Sequence, residues 1–243
     1  MKTFREHLWE VRQGGISVLL RKSKNFVIRS ILERAFPALD DCKIVYNSFV
    51  ERENSYLHST GWLESKKRGY PCKKDGSELP WMNYPVIDFL EKRLKCHFTL
   101  FEYGCGYSTL FFSKLVNQVT TVEYDREWYD LFIQKIPENV KLVYCPKDYN
   151  GKYCRIIGQN SQKYDVVIID GRDRVNCMKQ SIDHLTKDGV IILDDSSREN
   201  YIKGIKHLKD KNFYILEFEG LKPTGYEIDK TTILYRRANC LGI

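Results

Sequence analysis

Residues 98–125 read FTLFEYGCGYSTLFFSKLVNQVTTVEYD and carry, in order, a strand, a glycine-bearing turn, a helix, a second strand and an acidic residue. Phe98 to Tyr103 cluster apolar and aromatic residues as a buried strand does, and the run stops at Gly104-Cys105-Gly106. Ser108 or Thr109 is placed to cap the following helix, where Leu110, Phe111, Leu115 and Val116 make one broad apolar face. A second strand, Val119 to Val122, ends at Glu123, about 20 residues after the glycines, where nucleotide-binding α/β folds put a carboxylate for ribose hydroxyls. Glycines let a ligand approach the backbone, and the N–H groups at the amino end of a helix favour polar or acidic ligand atoms. The stretch therefore predicts a nucleoside-cofactor site.

Two departures from the dinucleotide fingerprint select among nucleosides. The third glycine of G-x-G-x-x-G is replaced by Thr109, and Glu102 precedes the first glycine by two. A cofactor without a pyrophosphate fits better. In these residues the chain resembles the class I S-adenosylmethionine-dependent methyltransferases, whose first motif has the form [E/D]-x-G-x-G and whose second strand ends in an acid; here they are Glu102, Gly104, Gly106 and Glu123. The resemblance covers residues 84–237 and lies in motifs and element order. It implies an α/β fold, a Rossmann-like seven-stranded, mostly parallel sheet with an antiparallel last strand and helices on both faces. It also implies S-adenosylmethionine as cofactor, bound by those four residues together with Tyr107, Ser108, Tyr124 and Asp170. Residues just after the third strand approach the adenine in this family, and of Lys147, Asp148 and Tyr149 the carboxylate of Asp148 suits the adenine amino group.

At 243 residues the chain suffices for one sizeable α/β domain with an appendage, and the expected division is a helical extension over 1–83 and a catalytic domain over 84–243. No run of about 18 apolar residues is present, and the start, MKTFREHLWEVRQ, is too charged for a secretory signal, so a cytoplasmic protein without a transmembrane segment is expected. The eight cysteines include no C-x-x-C pair and no disulfide-like framework. Of the net charge of +7, nearly all sits in residues 1–97, with 18 Lys and Arg against 12 Asp and Glu. Such an excess suits an anionic partner such as nucleic acid, or is merely a solvated surface.

Residues 1–36 read as helical, with Phe26, Val27, Ile31 and Leu32 as an apolar stripe, and are a route to a homodimer; 41–58 read as a second helix. From Gly61 to Asn83 the pattern loses periodicity and predicts a loop. Its aromatics Trp62, Tyr70 and Trp81 either fold over the cofactor and contact substrate or anchor the extension on the core. Asn83 caps a helix with Pro85 in its first turn, and Asp125 caps another carrying Trp128, Leu131 and Phe132. Val140 to Cys145 make a third strand. The run DVVIID, 165–170, is a central buried strand that delivers Asp170. A further helix is expected to close at Gly189, and Val190 to Leu193 lead to Asp194 and Asp195; Phe213–Phe218 and Thr231–Tyr235 form a hairpin.

Methyl transfer to a hydroxyl needs alignment and a base, since the cofactor carries the reactive group. Asp170 and Asp195 are the catalytic candidates; alternatively they hold a divalent cation that lowers the pKa of a substrate hydroxyl, as acids at the ends of the fourth and fifth strands do in metal-dependent relatives. Arg172 is a candidate to grip a substrate carboxylate or phosphate. Asp170 is followed by Gly171-Arg172 rather than by the N/D-P-P-Y/F pattern of exocyclic-amine methylation. The reading is a hydroxyl methyltransferase acting on a small-molecule or glycan acceptor, with an RNA methyltransferase or binder as the alternative.

Overall fold

The computed structural model describes residues 38–243, which fall into two compact units, one ending at Tyr56 and one spanning Leu57–Ile243. The stripe expected over Phe26–Leu32, and the route to a dimer through it, lie outside the described residues. In the first unit, α1 (Ala38–Val45) runs into a π-helical turn, Tyr46–Val50. The single helix expected over 41–58 is thus interrupted, and α2 is only Tyr56–Ser59.

The second unit opens with a departure from the expected loop. Trp62–Arg68 forms a helix, α3, bracketed by Gly61 and Gly69, both left-handed with φ of 82° and 74°. Glycines at both ends start and stop a helix too short to show periodicity. Then come α4 (Tyr84–Arg93), β1 (Thr99–Tyr103), α5 (Tyr107–Ser113), β2 (Gln118–Glu123), α6 (Arg126–Phe132) and β3 (Val140–Tyr144). They are followed by α7 (Lys152–Arg155), β4 (Tyr164–Ile169), α8 (Arg174–Ser181), β5 (Leu185–Leu193), α9 (Ile202–Lys209), β6 (Tyr214–Leu221) and β7 (Ile228–Tyr235).

The strands form one seven-stranded sheet in the order β3-β2-β1-β4-β5-β7-β6. Pairings from β3 through β5 are parallel; β7 runs antiparallel to both β5 and β6. This is the expected Rossmann-like architecture with one reversed strand. Side chains alternate across it. Leu100, Val166, Ile168, Val190 and Ile192 pack on one face against Val86, Leu90 and Phe112; Phe101, Val167, Ile169, Ile191 and Leu193 pack on the other against Tyr153, Met178 and Leu208. A strand covered on both faces must be apolar at every position, which is why DVVIID was legible.

Two local expectations change. Gly189 does not close α8. It lies inside β5, where the pairing with β4 slips from Tyr164↔Leu185 to Val166↔Val190, a bulge that uses the missing side chain. The cap of α5 is Gly106, and Thr109 acts from the third helical position by accepting the Gly106 N–H at 3.0 Å. The eight cysteines are all free thiols. Among the described residues no helix is long and apolar enough to cross a membrane.

Residues 57–83 place Leu79 and Met82 in the core of the second unit. Asn83 joins this segment to the sheet. Its Oδ1 accepts the Val86 N–H at 3.1 Å as the expected cap, while its Nδ2 donates to the Phe218 carbonyl at 3.2 Å and to Thr231 Oγ1 at 3.0 Å. Removing it loses the cap and leaves a buried carbonyl and hydroxyl short of a donor. Asn83→Ala is expected to cost about 2–4 kcal/mol in denaturant unfolding, and Asn83→Ser, which keeps a capping oxygen, less.

Candidate functional site

The site is built where β1 and β4 end. The chain leaves β1 at Gly104 with φ +99°, and a Cβ there would stand 3.0 Å from the Gly171 backbone nitrogen, so the turn after β1 runs against the turn after β4. Gly106 differs. Its φ of 176° is extended backbone open to any residue, and a Cβ would meet nothing nearer than Ser108 Oγ at 3.9 Å. Packing does not require glycine at 106; the space beside it belongs to a cavity of about 600 Å³.

Glu102 anchors the turn from below. It is fully buried and accepts hydroxyls from Ser108, at 2.5 Å, and from Thr109. Burial pushes its carboxyl up to about 7 against the opposing pull of those donors. Glu123 reaches the turn from β2. One oxygen accepts the Cys105 N–H at 3.0 Å, and the other accepts Tyr124 N–H at 2.7 Å and Asp125 N–H at 2.8 Å. Burial raises its pKa in spite of these three donors. The side chain of Glu123 thus faces the Gly104–Gly106 turn, as expected from spacing.

The cavity floor is Gly104–Ser108, with Tyr107 included. On one side stand Glu123, Tyr124 and Asp125; α6 adds Glu127, Trp128 and Leu131, and Trp128 donates its indole N–H to the Cys105 carbonyl at 2.7 Å. On the other side stand Asp170, Arg172 and Arg174. Trp81 and Pro71 complete the mouth, and Tyr70 stacks on Tyr107 with ring centres 4.9 Å apart. Four carboxylates and two guanidinium groups line the space, which makes it electronegative.

Arg174 is the buried fastener of the second wall. It donates to the backbone carbonyls of Gly171 at 3.0 Å, Asp194 at 2.6 Å and Asp170 at 2.7 Å, and to Asp170 Oδ1 at 2.9 Å. One guanidinium therefore ties the ends of β4 and β5 together. Asp170 has its pKa raised by burial, with Arg174 opposing. Arg172 lies over the Tyr124 ring at 5.3 Å and donates to its hydroxyl at 3.0 Å, spanning the cavity between the ends of β2 and β4.

Three candidates from the sequence do not reach this cavity. Asp148 turns inward and accepts the N–H groups of Lys152 at 2.7 Å and Tyr153 at 2.9 Å, capping α7. Asp195 pairs with Lys222 and Arg198, and Arg174 stands between it and Asp170, 3.8 Å from Asp195 Oδ2 and 2.9 Å from Asp170 Oδ1. Trp62 packs on the core and donates its indole N–H to the Gly225 carbonyl at 2.8 Å. Trp81 is anchored, its N–H donating to Pro223 O and Thr224 Oγ1, each at 3.0 Å, and it also lines the cavity.

Sequence reading missed Trp128 and Leu131 as lining residues, whereas Arg174 was already open to it both as the partner of a strand-end aspartate and as a grip on a substrate anion. The first two lie three apart on an amphipathic helix and read as core, although Leu131 is 46% exposed. For Arg174 the signal was its place just beyond the acidic end of β4, four residues after Asp170.

No family model and no curated protein matches the chain. Among solved structures it is similar to an rRNA methylase from Streptococcus thermophilus, at 14% identity over 63% of this chain and 96% of that one, with a TM-score of 0.49. It is similar to a precorrin-6y C5,15-methyltransferase from Geobacter metallireducens, at 15% identity over 70% and 96%, TM-score 0.48. A protein from Streptococcus mutans solved in complex with SAH is 15% identical over 61% and 94%, TM-score 0.47.

Since Glu102 titrates near 7 when folded, against an ordinary value of 4.5, the folded chain keeps a proton there that the unfolded chain has released. Stability must fall as pH rises through that window. Glu102→Gln is expected to abolish this slope. Thermal melts should show the variant gaining on wild type between about pH 5 and about pH 8, by up to about 3 kcal/mol.

Proposed function

We propose that this protein is an S-adenosylmethionine-dependent methyltransferase that methylates a hydroxyl of a small-molecule or sugar-containing acceptor. The observation that carries the reading is Gly106, a glycine that neither backbone conformation nor packing requires, set between the Glu123 carboxylate and the helix N-terminus in an electronegative cavity. An added methyl there would project into ligand space. The four carboxylates outnumber the two guanidinium groups in the same lining, a balance that suits a cofactor bearing an ammonium and a sulfonium better than a pyrophosphate.

When bound, the cofactor supplies an electrophilic methyl group, and the chain's part is to hold, orient and take a proton. Glu123 stands where ribose hydroxyls would be received, with Tyr124 alongside; Gly104, Gly106, Tyr107 and Ser108 form the floor on which the amino-acid portion would rest. Asp170, on the cavity wall, is the group placed to accept a hydroxyl proton, and burial makes it a stronger base than an exposed aspartate. Arg174 keeps that carboxylate in one orientation, and Arg172 and Trp81 stand at the mouth as acceptor contacts. The RNA alternative draws on the basic excess of residues 1–97, but the cavity itself is lined by acids, which disfavours a phosphate backbone.

Calorimetric titration with S-adenosylhomocysteine should give a Kd below about 1 mM for wild type. Gly106→Ala should weaken it at least tenfold, about 1.4 kcal/mol, while leaving stability within about 0.5 kcal/mol. Gly104→Ala, by contrast, should lower the melting temperature, because its Cβ would press on Gly171 in a left-handed conformation. Absence of heat at millimolar ligand with the wild type would overturn the reading.

A further inference from the structure

Three carboxylates outside the cavity converge just beyond the carboxyl end of β5. One oxygen each from Asp194, Asp195 and Asp229 lies within 4.8 Å of the others, a spacing suited to oxygen ligands around a divalent ion. Asp194 is 1% exposed, and its other partner is Thr231, whose hydroxyl donates to Asp194 Oδ1 at 2.7 Å and in turn accepts from Asn83. Gathering one buried and two half-buried acids this closely demands a compensating cation.

That cation is part of the chain. Lys222 Nζ stands 2.8 Å from Asp195 Oδ1, 3.1 Å from Asp229 Oδ2 and 3.8 Å from Asp194 Oδ2. Nor is its backbone loose. The three residues after it are fastened in succession by indole N–H donors: Pro223 and Thr224 by Trp81, and Gly225 by Trp62. Thr224 takes φ of +61° in this turn, a conformation that a threonine rarely adopts unless its surroundings hold it. Asp170 and Asp195, the pair that the family resemblance would offer to a metal, are meanwhile committed to Arg174, Arg198 and Lys222. The residues present do not fit a bound divalent ion.

We propose that the Lys222 ammonium is a built-in cation occupying a divalent-ion position at the end of β5, so that Asp194, Asp195 and Asp229 take up a metal only when Lys222 is removed. Lys222 is a positioning residue on this view. It holds the β5 end to which Arg174, and through it Asp170, is fastened. The inference concerns cation binding and stands independently of the methyl-transfer reading.

The test uses the full chain, purified in parallel with calcium chloride and with EDTA, and follows thermal melting against added Ca²⁺ or Mn²⁺. Wild type and Lys222→Arg should show no saturable response. Lys222→Met keeps the aliphatic stem and should melt lower in EDTA, then rise by about 5 °C or more at a hundredfold excess of Ca²⁺ over its Kd. Lys222→Met combined with Asp229→Asn should lose that rise. Recovery of folded Lys222→Met only in calcium counts in favour. A saturable metal response in wild type, or a Lys222→Met protein that behaves alike in both buffers, folded or not, overturns the proposal.

Discussion

The turns that follow β1 and β4 touch backbone to backbone at Gly104 and Gly171, and the site exists because neither position carries a side chain. A Cβ on Gly104 would lie 3.0 Å from Gly171 N, and one on Gly171 would lie 2.1 Å from the Tyr153 hydroxyl. This contact lets two parallel strands end side by side, the turn after β1 forming the floor of the cavity and the residues after β4 one of its walls. Ligands of open parallel sheets sit at such strand ends for the same geometric reason.

Around that contact the chain buries an unusual amount of charge and compensates each group differently. Glu102 is satisfied by hydroxyls and titrates high, and Glu123 is satisfied by backbone N–H groups. Asp170 is satisfied by Arg174, and the acids at the β5 end are satisfied by Lys222. Backbone amides orient the Glu123 carboxylate without supplying a formal counter-charge, whereas Glu102, below the turn, holds its proton up to about pH 7. At β5, by contrast, full cations face the acids: Lys222 stands among all three, and Arg198 pairs with Asp195.

Segment 57–83 shows how a wall can be built from remote parts of the chain. Trp81 reaches Pro223 across 142 residues and Trp62 reaches Gly225 across 163, so the mouth of the cavity and the turn carrying Lys222 are one mechanical unit. Tyr70 stacked on Tyr107 ties the same segment to the start of α5. Hydrogen-bonded indoles orient their rings as well as anchor them, and Trp81 therefore serves as both fastener and surface.

Local pattern carries the strands, the glycine turn and the caps at Asn83 and Asp125, because each is decided by period, backbone freedom or a side chain three residues away. The same pattern failed at α3, too short to be periodic, and at Gly189, where a strand bulge and a helix stop use the same residue. The residue order alone determined that a carboxylate at 123 would stand beside a bare turn at 104–106, since strand length and the α/β repeat leave few other places for it. Which acids face the cavity was decided only by tertiary structure. Asp148, Asp170 and Asp195 all follow strands, and each turns to a different partner: the N–H groups of α7 four and five residues on, a guanidinium four residues on that also ties β4 to β5, and a lysine from the last hairpin 27 residues away. The first two partners lie within a few residues of their acids, but which of several nearby groups each acid takes is chosen by the folded chain's electrostatics and packing.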